Sequence, residues 1–551
     1  MNLSESPVFL DIETNSQHSH IWCCTIKLDN LVETYYEGDP NLQLILEGRH
    51  VVAHNGVAFD FYVLEKVWGV TVPPEFQLDT LVLSRLYKPD LEGGHSLDAW
   101  GTRLGFAKGT YSEWDNPDMD ALVAYNVQDV NLLEKVYYEL KRNLENMQFS
   151  DKSIELEHQV AAILAEQQRN GWMLDVPHAT TLLATLEDRF AAILAQLQQR
   201  WPTQEIPRFH KVSGKPLKPE VIEFNPNSRQ QVAEKLQEVG WKTDKVTPTG
   251  QPVVDESTLE GFDIPEVKLV LESLMLTKRI SQLKSWLKAV GKDGRVHGYV
   301  NSIGAVSRRC THSKPNMSQV AGVTVEYGKE MRQCWRVPDG KILVGCDLSG
   351  IELRCLAHYM QDEEYTKELI NGDIHTKNQK AAGLETRAQA KTFIYAFLYG
   401  AGSAKIGAIV GGGAKEGERL QNTFLATVPS LGKLKKKVAT FVKKGHLPTI
   451  DGGRARIRSE HSALNTLLQS AGSIVSKQWL ICLHKNLKDA TIAFKQINYS
   501  HDEVELEVDP ADVAKVCEIA VASAKEAGEV LGFRCPVDAE AKVGQNWYEV
   551  H

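Results

Sequence analysis

Cysteine is sparse and unpaired in this chain. Its 551 residues include nine cysteines, of which Cys23 and Cys24 are adjacent and the others are scattered singly. A disulfide framework has an even number of cysteines at regular spacings, and a zinc site has short paired spacings. The sequence therefore predicts reduced thiols, which are typical of cytosolic proteins, and argues against a disulfide-stabilised secreted domain.

Long hydrophobic runs are also absent. No apolar stretch reaches the length of a transmembrane helix, and the N-terminal residues do not show the basic and then apolar pattern of a secretory leader. There is no internal repeat and no low-complexity tract. We therefore expect a cytoplasmic protein that has no membrane as a partner.

Positive charge is in deficit, because the net charge is −9 at pH 7. Such a charge argues against nucleic-acid binding in general. Net charge averages over the whole surface, however, and a basic cleft can coexist with acidic outer faces. Two clusters are locally basic and are equally compatible with solvated helix faces. They are Lys278, Arg279, Lys284 and Lys288, and Lys433, Lys435, Lys436, Lys437, Lys443 and Lys444.

The chain is long enough for several domains, and its periodicity changes along its length. Residues 1–150 have α/β character, with apolar strands at 8–10 and 51–53 and a helix over 119–142. Amphipathic helices are predicted over 155–169 and 178–200. An extended excursion over 201–255 and a helix over about 265–290 follow. From about residue 296 we expect strands and helices to alternate.

Two acidic positions in the C-terminal half lie at predicted strand ends. Asp347 follows the apolar run at 342–344, and Asp502 and Glu503 separate two runs of strand-like alternation. Phosphoryl transfer commonly uses two divalent ions, and carboxylates from two segments of the chain are suitable Mg²⁺ ligands. Either aspartate alone is more simply explained as an ordinary strand-end residue.

A predicted helix from about Thr386 carries Arg387, Lys391, Tyr395 and Tyr399 at four-residue spacing. Residues four apart share one helix face. Two cations one turn apart suit a triphosphate, and two aromatic rings suit a sugar and a base. The alternative is an amphipathic helix that buries its tyrosines and solvates its cations.

A second acidic set lies near the N-terminus. Asp11 and Glu13 are two residues apart after an apolar run, so that on a strand they share one face. Asp60 follows the run at 51–53, and Tyr125 precedes Asp129 by one helical turn. Four carboxylates and a tyrosine fit two-metal hydrolysis, in which the acids hold the metals and the tyrosine orients the attacking water.

Several ordered motifs together resemble those of the family A DNA polymerases, and most of all the replicative enzymes of short-tailed coliphages. These motifs are DLSGIELRCLAH at 347–358, RAQAKTFIYAFLYGAG at 387–402, LNTLLQSAG at 464–472, HDE at 501–503, GDIHTKNQ at 372–379 and GAVSRRCTHSKPN at 304–316. The N-terminal acids resemble the DEDDy type of proofreading 3′→5′ exonuclease. The resemblance covers 1–150 and 296–551 well and the middle poorly.

This resemblance implies a multidomain α/β and α+β architecture, in which an RNase H-like exonuclease domain precedes a right-hand polymerase. The expected boundaries are 1–150 for the exonuclease, 151–295 for the thumb, 296–365 and 456–551 for the palm, and 366–455 for the fingers. Each active site would use two Mg²⁺ ions, with Mn²⁺ able to substitute.

The resemblance also assigns roles within the polymerase motifs. Asp347 and Asp502 would bind the metals, with the carbonyl of Leu348 as a further ligand and Glu503 in a supporting catalytic role. In the other site, the four N-terminal acids would be the metal ligands and Tyr125 would be catalytic.

Substrate contacts are implied in the same way. Arg387, Lys391 and His375 would contact the triphosphate. Tyr395 would pack on the sugar beside Glu352, and the two side chains together would exclude a ribose 2′-hydroxyl.

The remaining motif residues would contact DNA. Tyr399 would lie near the templating base, and Arg309, Gln469 and His501 would contact the primer–template end. Minor-groove acceptors are present there on every correct base pair. Arg308 and Arg309 are consecutive arginines, whereas the family has a glycine followed by a single arginine at these positions. This difference leaves the geometry of the Arg309 contact open.

Partners and alternatives follow from the same comparison. Primer–template DNA and dNTPs are expected, with a phage helicase-primase and a single-strand binding protein as candidates. Thioredoxin is not expected, because only residues 201–223 stand where the coliphage enzymes carry a thioredoxin-binding insertion. A cellular or organellar repair polymerase, a single-subunit RNA polymerase and a non-enzymatic scaffold are the alternatives. The complete sets of acids and Glu352 beside Tyr395 disfavour the last two.

Overall fold

The structure, a computed structural model, describes residues 6–551. Its N-terminal part is a five-stranded sheet in the order β3-β2-β1-β4-β5, in which β1 pairs antiparallel with β2 and parallel with β4. Separate apolar clusters cover its two faces. Its elements are β1 (Val8–Thr14), β2 (Ile21–Leu28), β3 (Leu31–Tyr35), α1 (Pro40–Leu46), β4 (Val51–Ala53), α2 (Asp60–Trp68), β5 (Gln77–Asp79), α3 (Thr80–Tyr87), α4 (Leu97–Leu104) and α5 (Met119–Asn146).

A helical region follows. Its elements are α6 (Asp151–Asn170), β6 (Trp172–Leu174), α7 (Val176–Arg200), β7 (Gln204–Phe209), β8 (Pro216–Ile222), α8 (Arg229–Glu238), α9 (Glu256–Leu259) and α10 (Pro265–Ala289). The helices α7 and α10 pack together as an antiparallel pair, because Arg200 at the end of α7 bonds Glu266 at the start of α10. The long helices agree with the sequence prediction.

The expected extended excursion over 201–255 is wrong in part. This segment forms the β7–β8 hairpin and the ten-residue helix α8, which Ser228 caps by accepting a hydrogen bond from Gln231 N. The apolar residues of α8, Val232 and Leu236, are buried in the same cluster as α7 and α10. Because most residues of α8 are polar, its short buried face was not predicted from the sequence.

Small strands then lead into a strand that contains Asp347. The elements are β9 (Arg295–Val296), β10 (Tyr299–Asn301), β11 (Thr311–Ser313), α11 (Gly328–Gln333), β12 (Trp335–Arg336), β13 (Ile342–Leu348) and α12 (Ile351–Met360). The strand β6 lies between β12 and β9, so that the base of the helical region is tied to this part of the chain.

The expected alternation of strands and helices after residue 296 is wrong for 351–442. After α12, six further helices follow without a strand between them, and a short hairpin ends the segment. The elements are α13 (Glu363–Asn371), α14 (Ile374–Ala382), α15 (Arg387–Leu398), α16 (Ser403–Ala408), α17 (Ala414–Thr427), α18 (Pro429–Val442), β14 (His446–Pro448) and β15 (Arg454–Arg456). Apolar residues at helical spacing, such as Leu420 and Phe424, are buried against α15.

The C-terminal part completes a four-stranded antiparallel sheet in the order β16-β17-β13-β18. Its elements are α19 (Ala463–Asp489), β16 (Phe494–Ser500), β17 (Glu503–Val508), α20 (Val513–Val530) and β18 (Ala539–Gly544). The helix α19 is buried along most of its length between α6, α12, α18 and α20. None of the helices within residues 6–551 is long and apolar enough to cross a membrane.

Candidate active sites

The four-stranded sheet brings the C-terminal acids together. In the register of β13 and β17, Asp347 lies opposite Glu503. Asp502 lies in the tight turn between β16 and β17, where His501 has a left-handed backbone with φ of 61°. The amide of Leu348 donates a 3.0 Å hydrogen bond to the carbonyl oxygen of Asp502, so that the hairpin is attached to the end of β13. The two predicted metal-binding aspartates therefore belong to one site.

The carboxylates of this site carry concentrated negative charge. Desolvation by the surrounding protein, followed by the charge of Glu503, raises the pKa of Asp347 to about 6. Desolvation and the charge of Asp347 raise the pKa of Asp502 to about 7. A divalent cation would stabilise the ionised form of both groups. Hard carboxylate oxygens are also the ligands that Mg²⁺ prefers, so these residues fit such an ion.

Glu503 is held differently from the two aspartates. Trp547 Nε1 donates to Glu503 Oε1 at 2.9 Å, and His551 Nδ1 lies 3.0 Å from the same oxygen. Burial alone would raise the pKa of Glu503, but hydrogen bonds from Glu505, His551 and Trp547 lower it to about 2. Glu503 is therefore a fixed negative charge beside the aspartates.

The row of side chains on α15 forms as the sequence predicts. Thr386 and Gln389 make a reciprocal capping box at its N-terminus. Arg387 Nε donates to Asp373 Oδ2 at 2.7 Å, and Lys391 lies exposed one turn further on. Burial lowers the pKa of His375, and the nearby charges of Arg387 and Lys391 lower it further, so both cations lie close to His375.

The aromatic end of this row meets Glu352. The helix ends at Leu398, so Tyr399 is its C-cap rather than part of its last turn. The hydroxyl of Tyr399 donates to Glu352 Oε1 at 3.2 Å, and the Tyr395 and Tyr399 rings are stacked with centroids 6.4 Å apart. Burial raises the pKa of Tyr395, and the nearby charges of Glu352 and Asp502 raise it further. The aromatic end of the α15 row is therefore close to the acids.

Two of the three predicted DNA-binding residues, Arg309 and His501, lie near Glu352. Arg309 Nη2 is 3.7 Å from Glu352 Oε1. Burial, then the charge of Arg309, lowers the pKa of His501. Gln469 is half-buried on α19. Leu348, whose carbonyl was predicted to be a metal ligand, is buried next to Asp347 at the end of β13.

The N-terminal acids converge on a second site. Asp11 and Glu13 share one face of β1, and each offers an oxygen that lies within 4.8 Å of a carboxylate oxygen of Asp129 on α5. Such a set fits a divalent cation with oxygen ligands. Asp60, at the start of α2, accepts a 3.3 Å hydrogen bond from the amide of Ile12 and is therefore adjacent. The structure brings together all four predicted acids.

Protons are held more tightly here than in the C-terminal site. Burial and the charge of Asp129 raise the pKa of Asp11 to about 7. Burial and the charge of Asp11 raise the pKa of Glu13 to about 9. Burial also raises the pKa of Asp60 well above its usual value. Acids that repel one another at this strength need a cation to be ionised together.

Comparison with known proteins identifies the family. The family model of DNA polymerase family A matches residues 193–549. The DNA-directed DNA polymerases of Enterobacteria phage T3 and Escherichia phage T7 are each 35% identical to this chain, over 92% of it and 93% of the relative. The chain belongs to DNA polymerase family A. It is a DNA-directed DNA polymerase similar to the phage enzymes, and the expected resemblance is confirmed.

More distant relatives agree with this family A assignment. DNA polymerase I of Aquifex aeolicus is 26% identical over 99% of the chain and 96% of the relative. Among solved structures, the POL domain of Pol1 from M. smegmatis in complex with DNA primer-template and dNTP superposes with a TM-score of 0.82 at 18% identity, covering 99% and 96% of the two chains. The predicted polymerase fold, with α/β and α+β parts, is thereby confirmed.

Two residues of this family A polymerase were missed from the sequence in the N-terminal site. Asn126 Nδ2 donates to Asp11 Oδ2 at 2.6 Å and to Glu13 Oε1 at 3.2 Å. Lys108 Nζ lies 2.8 Å from Asp129 Oδ2 and 5.3 Å from the centre of the Tyr125 ring. Asn126 could have been found, because it lies within the same motif as Tyr125. Lys108 lies in a loop without a local signal.

Residues at the C-terminus were missed as well. Trp547 and His551 bond Glu503, although nothing in their local sequence indicates this contact. Their position depends on β18, which pairs with β13 and brings the end of the chain back to the sheet. Only the tertiary structure could reveal this support.

Proposed function

We propose that this polymerase is a replicative phage-type enzyme with two separate metal-dependent sites. One site extends a primer with dNTPs and releases pyrophosphate, and the other removes mispaired nucleotides from the 3′ end. The single observation that carries the proposal is that each of the two acidic sets converges on one place, with ligand oxygens of three N-terminal acids within 4.8 Å of one another.

In the polymerase site, Asp347 and Asp502 would hold two Mg²⁺ ions, with the Leu348 carbonyl as a further ligand. When bound, such ions supply positive charge for the attacking oxygen and for the leaving phosphates. Glu503 would have a supporting role, since its carboxylate contacts Trp547 and His551. Its lowered pKa favours this role, because a carboxylate whose charge is already stabilised by hydrogen-bond donors is a weaker metal ligand.

The α15 row would hold the incoming nucleotide. Arg387, Lys391 and His375 present positive or donor groups toward one region, which suits a triphosphate. Arg387 would exchange its bond with Asp373 for one with phosphate. Glu352 and Tyr395 would enclose the sugar, and a 2′-hydroxyl would collide with this enclosure.

The same cleft would hold the DNA. Tyr399 would lie at the templating base, where its ring can stack. Arg309, Gln469 and His501 would contact the last base pair of the primer and template. Arg309 is the residue best suited to minor-groove acceptors, because its guanidinium is charged and only partly buried.

In the exonuclease site, Asp11, Glu13, Asp60 and Asp129 would hold two Mg²⁺ ions, and Mn²⁺ would substitute. The phenol of Tyr125 would orient the attacking water. Lys108 would keep Asp129 and Tyr125 in place through its contacts with both. The four carboxylates are all at least partly buried, which favours a site that binds metal rather than an incidental acidic patch.

We propose the following division of the chain: an exonuclease domain at 1–150, a thumb at 151–295, a palm at 296–365 and 456–551, and fingers at 366–455. The antiparallel pair α7 and α10 supports the thumb, and the four-stranded sheet supports the palm. The run of helices after α12 supports the fingers.

The phage relatives favour a replicative role over repair, and the cytoplasm of an infected bacterium as the compartment. A phage helicase-primase and a single-strand binding protein are candidate partners. The alignment with the phage relatives spans 656 residues, more than the 551 of this chain, so the relatives contain segments that it lacks. The β7–β8 hairpin occupies residues 204–222, which favours DNA synthesis without thioredoxin.

The experiment is primer extension on a long single-stranded template with Mg²⁺, followed by product analysis with and without dNTPs. We expect long products and pyrophosphate with dNTPs, and 3′-terminal dNMP without them. Products of only a few nucleotides, even with host extract added, would favour the repair alternative. Extension without any dNMP release from a mismatched end would refute the exonuclease.

A further inference from the structure

Arg308 is buried and has an unusual backbone. Its side chain is only 1% exposed, and its φ is 62°, in the left-handed region that favours glycine. Arginine is almost never fully buried unless it is paired. A residue that is unusual in both respects needs strong local support.

The support is a buried network of four charged side chains. Arg308 donates to Glu157 Oε1 from Nη2 at 2.7 Å and from Nε at 3.2 Å, and to Asp451 Oδ2 from Nη1 at 2.6 Å. Lys477 donates to both oxygens of Glu157 at 2.8 Å. Two cations and two carboxylates leave no net charge, so the cost of burying each is offset by its partners.

The network fixes the backbone of Arg308 as well as its side chain. Its carbonyl oxygen accepts hydrogen bonds from Lys477 Nζ at 2.8 Å and from Ser473 Oγ at 2.9 Å. A methyl group at Gly453 would lie 2.7 Å from Arg308 Nη1, so the loop of Asp451 also closes on the guanidinium. Helices α6 and α19 and this loop thus hold one residue from three sides.

The next residue, Arg309, leaves the network and turns to the polymerase cleft. Its side chain is 25% exposed and reaches to 3.7 Å from Glu352. Its carbonyl accepts a 3.0 Å hydrogen bond from the amide of Gly304, which closes the loop around the pair. The Arg309 backbone therefore lies between two fixed points, the hydrogen-bonded carbonyl of Arg308 and the amide of Gly304.

We propose that Arg308, held by Glu157, Lys477 and Asp451, is a positioning residue that aims Arg309 at the minor groove of the primer–template end. The inference rests on the proposed contact of Arg309 with DNA. Arginine stands here where the family has glycine, which adopts the left-handed conformation without strain. In this chain the hydrogen bonds of Arg308 to three segments stabilise that conformation instead.

The test uses DNA that lacks the contacted atom. A primer ending in 3-deaza-2′-deoxyguanosine has no minor-groove N3 acceptor. We expect the parent enzyme to extend this primer about tenfold or more slowly than a primer ending in 2′-deoxyguanosine, because a charged hydrogen bond is lost. Arg309→Ala should be slow on both primers. Arg308→Gly, which allows the same backbone without the network, should reduce the ratio to below about threefold.

Control variants distinguish the positioning of Arg309 by Arg308 from a general loss of structural stability. Digestion of single-stranded DNA should stay within about twofold of the parent in Arg308→Gly. Arg308→Lys should give an intermediate ratio, because one amine cannot bond both Glu157 and Asp451 as the guanidinium does. Arg295→Met removes another buried arginine, which pairs with Glu507 at 2.7 Å, and should keep the full ratio. If Arg308→Gly does not fold, Asp451→Asn should lower the ratio partially.

Three results would overturn the inference. The first is a folded Arg308→Gly that keeps the parent's ratio, which would leave Arg308 with a structural role only. The second is an equal loss of the ratio in Arg295→Met. The third is a parent enzyme that does not distinguish the two primers, which would refute the proposed Arg309 contact itself, and the inference with it.

Discussion

The two acidic sites of this polymerase are built in different ways. The N-terminal acids project from β1 and the starts or interiors of helices into an enclosed site, where Glu13, Asp60 and Asp129 are each at most 7% exposed. The C-terminal aspartates lie at a strand end and in a hairpin turn, and the side chain of Asp347 is exposed although the surrounding protein still partly desolvates its carboxyl group. A site that hydrolyses DNA must admit only water and the 3′ end of one DNA strand, whereas a site that exchanges nucleotide and pyrophosphate needs an open cleft.

The difference also appears in proton affinity. The pKa values of Asp11 and Glu13 are raised to about 7 and 9, and those of Asp347 and Asp502 to about 6 and 7. Burial is the first cause in every case. Enclosure should therefore make the N-terminal site, the proposed exonuclease, more dependent on a bound cation than the C-terminal site.

The largest effect is expected for the polymerase aspartates. Asp347→Ala should lower primer extension about a thousandfold or more, because a metal ligand is lost and the metals supply several kcal/mol of charge stabilisation. Rapid-quench extension of a matched primer measures this. Asp509→Ala removes an acid just beyond β17 that pairs with Lys341, and should extend normally. Near-normal extension by Asp347→Ala would remove Asp347 from the metal site.

The next effect tests the difference in proton affinity. Metal binding displaces protons from carboxyl groups, so lowering the pH weakens it most where the pKa lies above the pH range. Between pH 8 and pH 6, the half-saturating Mg²⁺ concentration should rise about a hundredfold or more for exonuclease and about tenfold for polymerase. Mg²⁺ titrations of both reactions at several pH values measure it. A steeper rise for polymerase would reverse the comparison.

A smaller effect concerns the sugar of the nucleotide. A dideoxynucleotide lacks the 3′-hydroxyl that can bond its own phosphates, and the Tyr395 phenol can supply a donor nearby. Losing a hydrogen bond to a charged group costs about 1.5–3 kcal/mol, so Tyr395→Phe should lower ddTTP use about ten- to a hundredfold with little change for dTTP. Tyr399→Phe is the control, since that phenol bonds Glu352. Unchanged ddTTP discrimination in Tyr395→Phe would place Tyr395 away from the sugar.

The smallest of these effects concerns Glu352. Glu352→Ala should leave room for a 2′-hydroxyl and shift the ratio of kcat/KM for dCTP over CTP toward CTP by about tenfold. The exposed Glu364, which pairs with Lys377, provides a control of equal charge when changed to Ala. An unchanged ratio in Glu352→Ala would exclude a role in sugar selection.

Local patterns in the sequence predicted the parts that depend on short-range geometry. The alternation of β1 placed Asp11 and Glu13 on one face, and four-residue spacing placed Arg387, Lys391 and Tyr395 on one face of α15. Such spacing depends only on the pitch of a strand or a helix.

Long-range contacts could not be predicted in the same way. Lys108 beside Asp129, His551 beside Glu503, and the bonds of Arg308 to Glu157 and Asp451 join segments far apart in the chain. Apart from α15, the helices of 351–442 were missed as a group because their burial depends on one another. A single sequence carries no local signal for these arrangements.

The two sites should act independently of each other, and one paired assay tests this independence most directly. Extension of a matched primer and digestion of a mismatched primer are measured for the parent, for Asp502→Ala and for the double variant Asp11→Ala with Glu13→Ala. We expect Asp502→Ala to lose extension and keep digestion, and the double variant to lose digestion and keep extension. A folded variant that loses both reactions, or a double variant that still digests the mismatched primer, would contradict the account.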